Sequence, residues 1–74
     1  MEPNSRTYFL CDRFYPSVCV DDAIAQFHSL CTIRRSPAGS GTEIAIILRP
    51  GAPKETPEEF MNFLLCASLE KLLA

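Results

Sequence analysis

The stretch 56–74, TPEEFMNFLLCASLEKLLA, opens with a helix start signal and then runs apolar around most of its circumference. Thr56 can cap free backbone N–H groups, and Pro57 suits the first helical position, where a missing N–H costs nothing. Glu59 stands three residues after Thr56 and can complete a capping box. Glu58 and Glu59 both fall at the positive end of the helix dipole. At about 100° per residue, Phe60, Leu64 and Ala67 share one face, and Met61, Leu65 and Leu72 share a neighbouring one. Phe63, Cys66 and Leu73 extend the apolar surface further, and only Asn62, Ser68, Glu70 and Lys71 interrupt it after the first turn. A surface helix of a small monomer has a wet side, and this pattern offers little of one.

Working outward, the preceding segments decide what can cover this helix. Thr42–Arg49 (TEIAIILR) contains the unbroken apolar run Ile44 to Leu48, which suits a central strand. Thr32–Ser36 (TIRRS) reads as a second strand, joined to it through residues 37–41. Gly39 and Gly41 there permit the positive φ that a hairpin connection can require. Pro50, Gly51 and Pro53 punctuate the loop that leads to the last helix.

Further back, residues 16–31 place Val20, Ala23, Ile24, Phe27 and Cys31 at steps of mostly three and four, the stripe of an amphipathic helix. Asp21, Asp22, Gln26 and Ser29 form its wet side. Thr7–Phe14 (TYFLCDRF) is rich in aromatic and β-favouring residues and reads as a strand. Its alternation puts Tyr8, Leu10 and Asp12 on one side and Phe9 and Cys11 on the other. Met1 to Arg6 is polar, contains Pro3, and is expected to fray.

The order strand, helix, strand, strand, helix predicts a single two-layer α+β domain, with two helices on one face of a three-stranded sheet. Such a layout leaves the other sheet face without cover from this chain. There is no internal repeat and no low-complexity segment.

Seventy-four residues make one domain near the lower limit for an unstapled core. A net charge of −2 and a pI near 5.2 give no electrostatic footprint for nucleic acid or an anionic membrane. No apolar run reaches the roughly 20 residues that span a bilayer. The first residues, MEPNSRTYFL, lack the basic-then-apolar build of a secretory signal, so the expected location is the cytoplasm.

The four cysteines, Cys11, Cys19, Cys31 and Cys66, show no Cys-x-x-Cys pair and no zinc-ribbon spacing. Each lies in an apolar segment, and buried free thiols are the expectation. A reducing compartment weighs against a disulfide.

His28 and Cys31 are three apart and could share a helix side, but two ligands do not close a metal site, and no motif announces a catalytic dyad. Asp21 and Asp22 are adjacent and project differently, so they make no carboxylate pair. Arg34 and Arg35 point to opposite faces of a strand, and one could meet a carboxylate of a partner peptide. Gly39 and Gly41 lie in a hairpin rather than between a strand and a helix, which speaks against a phosphate loop. Asn62, an amide within an apolar helix, needs hydrogen bonds from a loop or a partner. No catalytic set, metal site or cofactor motif is expected.

Tyr15 before a helix containing Ala23 and Phe27, then a hairpin, then Glu59-Phe60-x-Asn62-x-Leu64-Leu65 resembles the small His-Xaa-Ser system protein, HxsD-like family. The similarity runs from about Phe9 to Leu69. Such proteins tend to carry an arginine after the Leu-Leu pair, where this chain reads Leu69-Glu70-Lys71. Members are encoded beside radical SAM maturases for ribosomally made peptides. The resemblance implies an accessory protein of peptide modification with no chemistry of its own.

The residues support that direction independently. The expected function is a non-catalytic adaptor that binds a maturation enzyme or precursor peptide through the last helix or an open sheet surface. Its expected partner-binding residues are Phe60, Met61, Asn62, Phe63, Leu64, Leu65 and Leu69. A self-associating domain, its last helix paired with a second copy, is the alternative. A small thiol or metal protein using Cys31, His28 and another cysteine is a third.

Overall fold

The computed structural model describes residues 5–73. Its elements are β1 (Ser5–Cys11), α1 (Ser17–Phe27), β2 (Cys31–Ala38), β3 (Gly41–Leu48) and α2 (Thr56–Leu73). The strands form one antiparallel sheet in the order β1-β3-β2. β1 and β2 therefore run parallel, with β3 inserted between them: a split β-α-β unit. The apolar run of β3 takes the central place, as its composition requires.

Register shows which face is covered. Tyr8 and Leu10 of β1 stand opposite Ile44 and Thr42, and Cys31 and Ile33 of β2 stand opposite Leu48 and Ile46. Leu10, Cys31, Ile44 and Ile46 are buried on this face, together with Cys19, Val20 and Ala23 of α1 and Phe60 and Leu64 of α2. Both helices thus sit on one side of the sheet. The expected α+β architecture is the one observed. On the other side, Phe9 is 54% exposed and Ala45 and Ile47 are half-buried.

Several boundaries differ from the sequence reading, each for a local reason. β1 ends at Cys11, because the N–H groups of Phe14 and Tyr15 both donate to Cys11 O (3.0 and 3.1 Å) and turn the chain. Ser5 and Arg6 belong to the strand, opposite Ile47 and Ile46. The fraying expected of the N-terminal tail lies outside the described residues at positions 1–4, as does Ala74.

α1 stops at Phe27, although Cys31 continues its spacing. Leu30 N–H donates to Phe27 O (3.0 Å), Arg49 Nε donates to His28 O (2.8 Å), and Cys31 starts β2 instead. The connection read as residues 37–41 shrinks to Gly39 and Ser40, closed by the pair Ala38–Gly41. Gly39 has φ +60° and Ser40 does not share the positive region, the requirement of a type II′ turn. Gly41 is not left-handed. A Cβ there would collide with the Leu10 carbonyl oxygen and lie 2.7 Å from Phe9 Cζ, so space rather than backbone freedom demands glycine.

The start of α2 is also corrected. Glu59 N–H donates to Glu55 O (2.9 Å), so the helix begins one residue earlier than a capping box at Thr56 implies. Buried Thr56 donates its hydroxyl to Pro53 O (2.7 Å) and ties the loop to the first turn.

Candidate functional site

The two sides of α2 have different surroundings. Phe60, Leu64 and Ser68, at successive steps of four, are buried. Phe27 of α1 meets the rings of Phe60 and Phe63 edge-on, with centroids 5.5 and 5.9 Å apart. Cys19 Sγ lies 3.6 Å from Ala67 O, a weak S–H bond between the other ends of the two helices. The helices therefore pack antiparallel.

Beside this core face, Leu65, Leu69 and Leu72 are 45%, 48% and 51% exposed. Steps of four and three align them along the outer side of the helix, with half-buried Met61 one turn before Leu65. Leu73 continues the surface at 85% exposure. Together these side chains leave an apolar row partly open to water.

The structure divides the seven residues expected to meet a partner. Phe60 and Leu64 are corrected: both are fully buried in the chain's own core and offer no surface. Met61 and Phe63 are half-buried and packed against that core. Asn62, Leu65 and Leu69 are exposed. Asn62 is reached by water, so its amide does not need the protein partner that burial would demand. The buried polar atom is instead Ser68 Oγ, which has no hydrogen-bond partner among the described residues. Leu72 belongs to the outer row but lies outside the expected set; its spacing from Leu65 is the signal that marks it.

Other candidates resolve into structural roles. His28 is exposed with Nδ1 3.1 Å from Ala25 O, and no hydrogen bond joins it to Cys31. Cys31 is buried, and its thiol lies 3.4 Å from Phe27 O. Burial pushes this thiol's pKa up, while the charge of Arg49 acts in the opposite direction. A raised pKa keeps the group protonated at neutral pH and a poor nucleophile. Cys19 is buried and Cys11 half-buried, as expected of free thiols, but Cys66 is exposed on α2.

Among the described residues, no group of three or more His, Cys, Asp or Glu is arranged to hold a metal ion. Arg35 pairs with Asp21 of α1 at 2.6 Å, with both side chains well exposed. A surface pair of this kind contributes at most about 1 kcal/mol. Arg34 points to the uncovered face of the sheet and has no ion pair among the described residues. A shallow, open groove between the start of α1 and the end of α2, with Val18 at its rim, encloses no chamber for excluding water.

Comparison with protein-family models, with curated proteins and with solved structures finds no match in any of the three. Among the described residues, no helix is long and apolar enough to cross a membrane.

Proposed function

We propose that this chain is a cytoplasmic, non-catalytic accessory protein that docks a partner protein on the outer face of α2. The single observation that carries the reading is the exposed row Leu65, Leu69 and Leu72, set beside a complete core face on the same helix. Apolar side chains at i, i+4 and i+7 match the way an amphipathic helix enters a groove on another protein. Asn62 flanks the row and supplies a polar contact for orientation.

The HxsD-like resemblance narrows the partner to a radical SAM maturase or its precursor peptide. Its motif Glu59-Phe60-x-Asn62-x-Leu64-Leu65 straddles both sides of α2. Phe60 and Leu64 serve the fold, while Asn62 and Leu65 are available to a partner.

Affinity capture from the native host, under reducing and anaerobic conditions, tests the partner class. Mass spectrometry is expected to identify a radical SAM enzyme or a short precursor peptide. Recovery of the bait alone would remove the family resemblance as a guide to function.

A further inference from the structure

The two edges of the sheet are built differently. Asp12 N–H donates to Ser40 O (3.2 Å), which fixes the parity of the β1–β3 ladder, since hydrogen-bonded pairs recur at every second residue. Arg6, Tyr8 and Leu10 therefore exchange main-chain bonds with β3. The N–H and C=O of Thr7 and Phe9 point off the sheet. Cys11 O, in the same outward row, is already occupied by the turn at Phe14 and Tyr15.

On the other edge, Arg49 N–H donates to Leu30 O (2.9 Å) and fixes the β2–β3 parity in the same way. Pro37 then falls in the outward row, where its ring removes a donor, and Arg34 and Arg35 add charge to that strand. Proline and charge are the usual means of blunting an edge. β1 has neither device between Thr7 and Cys11, and it carries the half-exposed Phe9.

We propose that β1 is the interface for a second copy of this chain. The two β1 strands pair antiparallel about a two-fold axis at Tyr8 and join two three-stranded sheets into one of six strands. The strand's self-complementarity argues for this occupant. With Thr7 opposite Phe9 of the second copy, each Thr7 N–H meets a Phe9 O and each Phe9 N–H meets a Thr7 O. Four bonds form, and no outward group of either residue is left over. Arg6 falls opposite Leu10 of the second copy, so no like charges face each other. Both Phe9 side chains fall on the uncovered face, each ring lying over Gly41 of its own β3. This pairing uses the sheet edge and so goes beyond the accessory role of α2.

Analytical ultracentrifugation and residue-resolved amide exchange, both from micromolar to millimolar concentration, test the pairing. The expected result is a dimer whose formation slows exchange at Thr7 and Phe9, while Tyr8 and Leu10 are slow at every concentration. Thr7→Pro removes an outward N–H that β3 does not use and is expected to raise the dimer dissociation constant by about tenfold or more. Its circular dichroism should match that of the parent chain. Phe9→Lys, which places charge at the same edge, is expected to weaken the dimer likewise and covers the case in which the proline variant misfolds. A monomer throughout the range would overturn the proposal. So would a dimer with fast Thr7 and Phe9 amides, the result expected if α2 pairs instead. Protection of those amides only when host peptide is added would also overturn it, by assigning the edge to an extended peptide.

Discussion

Phe60→Ala is expected to lose about 3–5 kcal/mol of stability, the range found for removing a buried aromatic side chain. Phe60 is the largest fully buried side chain of the described residues, and it belongs to a core shared by both helices and the sheet. Its edge-on contact with Phe27 adds about 0.5–1.5 kcal/mol beyond area burial. The whole stability of a domain this small is of the order of 5 kcal/mol. The variant should therefore be substantially unfolded at room temperature when followed by far-ultraviolet circular dichroism. Phe63→Ala removes the second ring from Phe27, but Phe63 is half-buried and the loss should be smaller. Equal urea midpoints for the two variants would contradict the placement of Phe60 at the centre.

Gly41→Ala should cost about 2 kcal/mol or more, at the upper side of what overpacking usually costs. The new Cβ meets two obstacles of different kinds. The Phe9 ring is half-exposed and can swing aside. The Leu10 carbonyl is held in the β1–β3 ladder opposite Thr42, and it can retreat only by opening that ladder. Adding Phe9→Ala should consequently fail to restore the stability of Gly41→Ala. Gly39 provides the contrast. It has φ +60°, and a Cβ added there would meet nothing within 4 Å, so alanine is opposed by backbone strain alone. Thermal unfolding of the single and double variants separates the two causes; full rescue by Phe9→Ala would place the obstacle in the ring.

Much of this fold is legible in the residues, and the exceptions are instructive. The run Ile44 to Leu48 marks the central strand because a strand neighbour on each side shelters its side chains, so that Ala45 and Ile47 are half-buried even on the uncovered face. Tyr8 and Leu10 alternate correctly onto the core face. The spacing of Val20 and Ala23 identifies α1, yet Cys31 continues the same spacing and belongs to β2. Local periodicity does not know that β3 needs a partner at Leu48. Pro37 reads as a loop residue, but an outward-facing edge position never asks for its N–H. α2 is the least readable element in one respect: it is apolar nearly all round, so its pattern does not say which stripe enters the core. Phe60, Leu64 and Ser68 go inside, carrying a serine with them, while Leu65 and Leu69 stay outside. The candidate surface is therefore only half legible, and the larger side chain at Phe60 is structural.

The two-sidedness of α2 is tested most directly by the double variant Leu65→Glu/Leu69→Glu, comparing its thermal midpoint with its capture of the partner recovered from the host. Because both leucines are about half exposed, the midpoint should stay within a few degrees of the parent chain, as expected for surface substitutions. Capture should fall by about a hundredfold or more, since two carboxylates would enter an apolar contact. Undiminished capture, or unfolding as severe as that of Phe60→Ala, would contradict the assignment of this face to a partner.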